Sequence, residues 1–186
     1  ITDVGIQGEI SQGAGRIAGF LGLSNLIMFY DANDIQLSTK VNEVTSEDTA
    51  KKYEAWGWKV VTINGSDENE IRSALTAAQT EKDKPFLIIG KTVMGKGAVD
   101  ASGNSFENKV STHGQPLSAA GASFEKTIEN LGGDAQNPFV IFPEVADFYK
   151  KSLDKKREFA KEMNLKFSQW KDQNKELATK FHNFML

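Results

Sequence analysis

The chain has 186 residues, and its 22 lysines and arginines against 25 aspartates and glutamates give a formal net charge of −3. This length allows one ordinary domain with a sizeable core. A mildly acidic chain without a basic stripe is not typical of a nucleic-acid-binding protein, and the absence of cysteine excludes disulfides, thiolate zinc sites and thiol nucleophiles.

The apolar runs of the sequence are short. Even a continuous one, Phe86-Leu87-Ile88-Ile89, falls far below the length that crosses a bilayer. The first residues also lack the basic region and the continuous apolar region of a signal peptide. We therefore expect a cytoplasmic protein without a membrane partner.

Glycine is concentrated near the start of the chain, at positions 5, 8, 13, 15, 19 and 22, and the next glycine is Gly57. Such crowding predicts backbone that closely approaches a ligand or another element. Strands that carry functional loops are usually central and buried. Because the chain opens on such a loop, we expect a fragment, or a subunit completed by another chain.

Helix and strand patterns alternate along the next part of the chain. In order they predict a strand at residues 1–3, a helix over 10–23, a strand over 26–30, a helix from 45–48 to about 56, a strand over 59–63, a helix over 68–80 capped by Asp67, and a strand over 85–89. Strands separated by helices imply βαβ units. We therefore predict an α/β fold, a parallel sheet of at least four strands with flanking helices. Ligands of such sheets bind beyond the carboxyl ends of the strands, where Asp3, Asn33, Asn64 and Lys91 fall.

A polar, glycine-bearing segment without periodicity extends over residues 90–121 and contains His113. A loop of this length is usually functional or disordered. A short helix is predicted over residues 119–131.

The tail over residues 143–186 has no glycine and repeats apolar residues in steps of three and four. It predicts a long amphipathic helical segment, either one helix or two broken near Asn164. Two interpretations stay open. The segment packs on its own domain, or it leads to a further domain or a partner subunit.

Asp3 and Asn33 are separated by one strand–helix–strand unit in the predicted order. A right-handed crossover brings both to the carboxyl ends of nearby strands. A carboxylate, an amide oxygen and a backbone carbonyl just beyond Asn33 form an all-oxygen set that suits Mg²⁺ together with phosphate oxygens. N–H groups of the glycine-rich turn and helix after Asp3 are available to the same phosphates. Both residue types are also common at such positions without a metal, so spacing alone leaves the two interpretations open.

Several ordered segments carry a resemblance to transketolases: Gly5-Ile-Gln-Gly-Glu-Ile-Ser11, Ala18-Gly-Phe-Leu-Gly-Leu23 and Leu26-Ile-Met-Phe-Tyr-Asp-Ala-Asn-Asp-Ile35. They resemble the thiamine diphosphate motif that opens with Gly-Asp-Gly and closes with Asn. The likeness continues through residues 47–58, 84–85, 91–97 and 113–117. It implies an incomplete thiamine diphosphate-binding fold over residues 1–142, and a helical linker over 143–186 toward a pyrimidine-binding domain that these residues do not include.

The resemblance implies two cofactors, thiamine diphosphate and Mg²⁺, or Ca²⁺ in its place. The metal ligands it implies are Asp3, Asn33 and the carbonyl of Ile35. The further cofactor contacts it implies are the backbone of Val4 and Gly5, Met94 near the thiazolium, and His113. His113 also corresponds to the family's active-site histidine, near the diphosphate and the reacting end of the substrate. The alternative is that His113 is an ordinary surface-loop histidine. We expect His182, in the tail, to be an ordinary helix residue.

The implied reaction is transfer of a two-carbon unit from a ketose phosphate to an aldose phosphate. The family's sites lie between two chains, so the resemblance implies a homo-oligomer or a complementary chain with the pyrimidine-binding domain, and an isolated chain without activity. Val4 departs from the motif, because its β-branched side chain stands where the family has a glycine. The alternative hypothesis is therefore a degenerate, non-catalytic fragment kept for fold or assembly. An unrelated nucleotide-binding α/β domain is a third and weaker one.

Overall fold

The computed structural model describes residues 1–185. They form two compact units, one over residues 1–138 and one that begins at Phe139. The first unit contains α1 (Asp3–Gln7), α2 (Glu9–Phe20), β1 (Ile27–Ala32), α3 (Thr49–Ala55), β2 (Lys59–Asn64), α4 (Glu68–Thr80), β3 (Phe86–Lys91), α5 (Leu117–Ala120) and α6 (Phe124–Asn130), with 3-10 turns at Val41–Glu43 and Val110–Thr112. The second contains α7 (Pro143–Gln173) and α8 (Lys175–Met185).

β3 is the central strand of a parallel sheet with the order β1-β3-β2. Ala32 and Asn64, the last residues of the outer strands, both lie opposite Lys91 in the register. Every residue of β3 except Lys91 is buried. The loops that follow the three strands therefore start side by side at one edge of the sheet, and the predicted α/β fold with a parallel sheet is confirmed.

Helices cover both faces of this sheet, as a parallel sheet requires. Leu87 and Ile89 point to one face and Phe86 and Ile88 to the other, because successive strand side chains alternate. The first face packs on α1, α2 and α3 through a buried cluster that also includes Ile6, Ala18, Tyr30, Ala32, Tyr53 and Trp58. The second face packs on α4 through Ala74 and Ala78.

The strand predicted at residues 1–3 is wrong, and the sheet has three strands among the described residues instead of four or more. Only Ile1 pairs with β1: its amino group donates to the Phe29 carbonyl at 2.7 Å, and the Asp31 N–H donates to the Ile1 carbonyl at 2.9 Å. The Thr2 hydroxyl then accepts from the Gly5 N–H at 3.4 Å and caps α1. Asp3 therefore lies in the first turn of a helix.

Two helix predictions also need correction. Residues 119–131 do not form one helix, because Gly121 takes a left-handed φ of 100° that ends α5, and α6 starts anew behind the Ser123 cap. The tail breaks at Asn174, whose backbone leaves the helical region, and not at Asn164, which lies inside α7. The helix over residues 68–80 is confirmed, and the Asp67 carboxylate accepts from the first-turn N–H groups.

Aromatic side chains join the two helices of the second unit. The Phe167 ring stacks on Trp170 with centroids 5.7 Å apart, and it meets Phe181 edge-on at 5.9 Å. Most other apolar side chains of α7 are exposed within this unit. Among residues 1–185, no helix combines the length and apolar composition that a membrane crossing needs.

α2 lies directly against the turn between α3 and β2. A Cβ atom on Gly19 would stand 1.9 Å from the Trp56 carbonyl oxygen. This oxygen belongs to the backbone, so it cannot move aside as a flexible side chain could. The Trp58 indole N–H donates to the Gly15 carbonyl at 2.8 Å in the same contact. The glycine-rich helix is therefore fixed on the first face of the sheet, beside α1.

We expect Gly19→Ala to lower the free energy of unfolding by about 1–3 kcal/mol, because the added methyl overpacks this contact. Gly13→Ala is the matched control on the same helix, since a Cβ there meets no atom within 4 Å. It should raise stability by about 0.5–1 kcal/mol through helix propensity. Urea denaturation of the two variants measures the difference, and equal effects at both positions would contradict the contact.

Candidate functional site

Asp3 is a buried carboxyl group with one oxygen paired and one free. Its side chain is 2% exposed, and Oδ1 accepts a hydrogen bond from the Tyr30 hydroxyl at 2.5 Å. Oδ2 is buried and has no hydrogen-bond partner among the described residues. A buried acceptor left without a partner is unfavourable, and a bound cation would satisfy it.

Burial raises the pKa of Asp3, while the hydrogen bond from Tyr30 lowers it. The negative charge of Asp34 raises the pKa further, and the backbone N–H of Asn33 lowers it. The Asn33 backbone therefore lies close enough to act on the Asp3 carboxyl. A positive ion at this place would offset both the loss of solvation and the repulsion by Asp34.

Tyr30 is a site residue that the sequence analysis did not identify. It lies in β1 and is buried. Burial and the contact with Asp3 raise its pKa, so the hydroxyl remains a proton donor to the carboxylate. Its position in an apolar strand could have indicated this role, because a buried tyrosine hydroxyl normally has a hydrogen-bond partner.

The predicted ligands Asn33 and Ile35 lie in the loop that follows β1. The Asn33 side-chain oxygen accepts from the Ile35 N–H at 3.0 Å, and Asp34 between them has a left-handed φ of 63°. The Val41 N–H donates to the Asp34 carbonyl at 3.1 Å and closes a small antiparallel bridge between Ile35 and Lys40. This tight loop fixes the Asn33 amide relative to the Ile35 backbone.

The three predicted metal ligands are thus connected one to the next. Asp3 lies beside the Asn33 backbone, and the Asn33 side-chain oxygen accepts from the Ile35 N–H. Within residues 1–185, no group of three His, Cys, Asp or Glu side chains is arranged to hold a metal ion. A cation here would depend on a single carboxylate supplemented by an amide and a carbonyl oxygen. Such hard oxygen donors, with phosphate and water completing the shell, suit Mg²⁺.

Val4 and Gly5 lie in the first turn of α1, next to Asp3. The Val4 side chain is 53% exposed, and Val4 is helical, so valine at this position causes no backbone strain. Gly5 has a packing role, because a Cβ atom there would stand 2.9 Å from Cγ1 of Ile1. The departure from the Gly-Asp-Gly motif therefore changes the surface beside Asp3 and leaves the backbone unstrained.

A cleft of about 570 Å³ opens beyond the carboxyl edge of the sheet. It lies between the loop after β1 and the start of the loop after β3, and its lining includes Asn33, Asp34, Ile35, Lys40, Thr45, Thr92 and Asn108. Asp3, Met94 and His113 do not line it. Its lining combines hydroxyl and amide groups and Lys40 with the carboxylates of Asp34 and Glu47 and with apolar side chains.

Met94 is half-buried in the loop after β3. Its carbonyl accepts from the Asn108 N–H at 2.9 Å. Gly95 follows with a φ of 64° and lies against Thr112, whose Oγ1 would be 3.5 Å from a Cβ at that glycine. These contacts bring the Met94 and His113 parts of the long loop together.

His113 follows the 3-10 turn at Val110–Thr112 and is half-buried. Its Nδ1 atom is buried without a hydrogen-bond partner among the described residues. Gly114 lies against Leu37, with Cδ1 of Leu37 3.4 Å from a Cβ built at the glycine. The histidine segment therefore packs beside the loop that carries Asn33. His182, by contrast, is an exposed residue of α8, as expected.

The sequence profile described as "Transketolase, thiamine diphosphate binding domain" matches residues 1–186. The transketolase of Physarum polycephalum is 36% identical over 176 residues, which cover 93% of this chain and 25% of that protein. Transketolase 2 of Saccharomyces cerevisiae is 35% identical over 155 residues, which cover 82% of this chain and 22% of that protein. The chain thus spans about a quarter of the length of these relatives.

Solved transketolase structures share the architecture. A crystal structure of transketolase from Campylobacter jejuni is 32% identical, with a TM-score of 0.66 over 80% of this chain and 22% of that chain. The complex of Pichia stipitis transketolase with sedoheptulose-7-phosphate has a TM-score of 0.85 over 98% of this chain and 26% of that chain. At 24% identity this second likeness shows the fold. Because the profile matches the whole length and relatives exceed one third identity, the chain belongs to the transketolase family, within its thiamine diphosphate-binding domain.

Proposed function

We propose that this chain is part of a transketolase that transfers a two-carbon ketol unit from a ketose phosphate to an aldose phosphate. The observation that carries the proposal is Oδ2 of Asp3, which is buried beside the Asn33–Ile35 loop and has no hydrogen-bond partner within residues 1–185. A polar atom in that state fits a cation. Asp3 does not itself line the neighbouring cleft, but Asn33 and Ile35 do. A cation held by all three would therefore stand beside the cleft, where a diphosphate would complete its oxygen shell. Family membership gives that diphosphate its identity, thiamine diphosphate.

In this proposal Asp3, the Asn33 side-chain oxygen and the Ile35 carbonyl would hold Mg²⁺, and the backbone of Val4 and Gly5 in the first turn of α1 would contact the diphosphate. When bound, thiamine diphosphate supplies the electron sink for breaking and forming a carbon–carbon bond. Met94 would provide an apolar contact to the thiazolium. The residues of this chain would orient the cofactor and balance the negative charge of its diphosphate.

His113 has the role of holding or moving a proton near the reacting end of the substrate. An imidazole nitrogen can accept a proton from a bound ligand or donate one to it. Its Nδ1 atom is buried and has no hydrogen-bond partner in the part of the chain that the structure describes, which supports this role because the atom is available to a ligand. The packing of Gly114 on Leu37 supports its location near the loop after β1.

We propose further that residues 1–142 are part of the diphosphate-binding domain and that residues 143–186 are the linker toward a pyrimidine-binding domain. Sugar phosphates, and a second copy or a complementary chain, are the proposed partners. The expected location is the cytoplasm. Alone, this chain holds half of the site, so we expect ketol transfer only when it is assembled with the pyrimidine-binding domain.

The second candidate is a degenerate, non-catalytic member of the family. One observation favours it: the exposed side chain of Val4 stands beside Asp3 where the motif has a glycine. Ketol transfer measured on the assembled protein separates the candidates. Magnesium-dependent transfer supports the enzyme, and no transfer by a correctly assembled complex would rule it out.

Asp3→Asn tests the cation site without changing side-chain size. We expect magnesium-dependent binding of thiamine diphosphate, measured by calorimetry, to weaken by more than the ~10–100-fold typical of losing a group that only supports a ligand. Asp83→Asn is the control, because it removes the same charge just before β3, at the opposite end of the strand. Unchanged magnesium-dependent heat in Asp3→Asn would contradict the assignment.

The stability of the metal-free protein should depend on pH through Asp3. Because burial raises its native pKa above the unfolded value of 3.8, the native state binds this proton more tightly. The stabilising contribution is present below the unfolded pKa and is lost as pH rises through the native pKa. Unfolding of wild type and Asp3→Asn from acid to neutral pH should show wild type losing stability relative to the variant. A constant difference would contradict the raised pKa.

Val4→Gly and Val4→Ala test the second candidate. Removing the branched side chain beside the diphosphate should tighten thiamine diphosphate about threefold to tenfold, equal to ~0.7–1.4 kcal/mol. Val4→Ala keeps helix propensity and controls for the cost of a helical glycine. If calorimetry gives the same affinity for both variants and wild type, Val4 does not obstruct the site and the degenerate reading loses its support.

A further inference from the structure

A hydrogen bond between side chains joins the end of β1 to the start of the loop after β3. The Thr92 hydroxyl donates to Oδ1 of Asp31, and both side chains are half-buried. The Thr92 N–H also donates to the Ala32 carbonyl at 3.3 Å. The side chain and the backbone of Thr92 therefore both hold the loop after β3 against the last residues of β1.

The methyl group of Thr92 is confined on the other side, by the loop after β2. A Cβ atom on Gly65 would stand 2.6 Å from Cγ2 of Thr92, so the methyl group lies directly against the Gly65 backbone. The Gly65 N–H donates to the Lys91 carbonyl at 2.8 Å and holds this backbone in place. A β-branched side chain confined in this way has little freedom at χ1, and the Thr92 hydroxyl consequently stays directed at Asp31.

The bond between Thr92 and Asp31 lies two residues before each of two proposed cofactor contacts. Asn33 follows Asp31 by two residues, and Met94 follows Thr92 by two residues. Two residues of extended chain span at most about 7 Å. The bond therefore determines where the loop of Asn33 and the loop of Met94 begin relative to each other.

An ion pair also joins these two loops, but it is exposed to solvent. Nζ of Lys91 and Oδ1 of Asp34 are 3.4 Å apart, and the two side chains are 55% and 67% exposed. Exposed ion pairs contribute little to stability because water and salt screen them. The half-buried bond between Thr92 and Asp31 is therefore the stronger of these two side-chain links.

We infer that Asp31 and Thr92 are positioning residues, which set the separation between the part of the site that takes the diphosphate and the part that takes the thiazolium. The inference rests on the proposed function, in which Asn33 and Ile35 hold the cation at the diphosphate and Met94 contacts the thiazolium. A ligand that touches both loops makes its second contact intramolecularly, so its affinity depends on how the loops are placed. A ligand that touches only the loop after β1 has no such dependence.

The test compares thiamine diphosphate with inorganic pyrophosphate, which lacks the thiazolium. Each is titrated by calorimetry into the assembled protein in the presence of Mg²⁺. Thr92→Val keeps the shape of the side chain and removes the hydroxyl. We expect it to weaken thiamine diphosphate about tenfold, the order of a lost hydrogen bond to a charged group, and to leave the Kd of pyrophosphate within about twofold of wild type.

Asp31→Ala removes the acceptor of the same bond and should lower the ratio of the two affinities as Thr92→Val does. The loss of a negative charge favours both anionic ligands alike, so the ratio isolates the effect of the bond. The double variant should lower the ratio no further than either single variant, because both substitutions remove one bond and their effects are not additive.

Thr92→Ser and Asp31→Asn are the matched controls. Each keeps a donor or an acceptor at the same place, and each should keep the wild-type ratio. Thr80→Val controls for the loss of a threonine hydroxyl elsewhere, because the Thr80 hydroxyl donates to the Ala77 carbonyl at the end of α4. Far-UV circular dichroism of all variants verifies the fold.

The outcomes separate the inference from the proposed function. A lower ratio in both Thr92→Val and Asp31→Ala, with the wild-type ratio in Thr92→Ser and Asp31→Asn, supports the inference. A lower ratio in only one of the two disruptive variants points to a direct ligand contact and overturns it. An unchanged ratio in both, including an equal loss of both ligands, also overturns it and leaves the cofactor site intact. If wild type binds neither ligand in the presence of Mg²⁺, the proposed cofactor site fails and the inference fails with it.

Discussion

The register of β3 is the constraint on which the rest of this structure depends. Lys91 lies opposite Ala32 on one side and Asn64 on the other, so the three strands end together. Each following loop leaves from the same edge, and the loop of Asn33 and Ile35 meets the long loop of Met94 and His113 there. A slip of one residue would turn every side chain of a strand to the other face and would remove Tyr30 from Asp3.

The sheet also explains why a carboxyl group is tolerated in the interior. Asp3 belongs to α1, which shares its buried cluster with β1 through Ile6. Tyr30 and the Asn33 backbone supply partial compensation for burial, and one carboxylate oxygen has no hydrogen-bond partner among the described residues. A side chain held in an unfavourable state by its surroundings is typical of a site prepared for a ligand. The unfavourable burial of this carboxylate destabilises the free protein, and a ligand that relieves it gains binding free energy.

Much of this was predictable from the sequence, and the errors share a cause. The α4 prediction was accurate because Asp67 and the apolar spacing are local signals, and the three strands were recognised from short apolar runs. The predicted strand at Asp3 failed because one residue, Ile1, pairs with β1 before the Thr2 cap starts a helix. Gly121 offered a local sign of the break between α5 and α6. The contact between Tyr30 and Asp3 joins residues on different elements, and no periodicity reveals it.

The contact of α2 with the turn before β2 has an evolutionary consequence. Gly19 meets the Trp56 carbonyl oxygen with no room for a methyl group, and Trp58 holds the Gly15 carbonyl from the same side. A related chain with a larger residue at position 19 must carry a displaced turn near residues 56–58. Substitutions at position 19 and at residues 56–58 should therefore occur together among related chains. Such covariation would reflect the close approach of the two backbones.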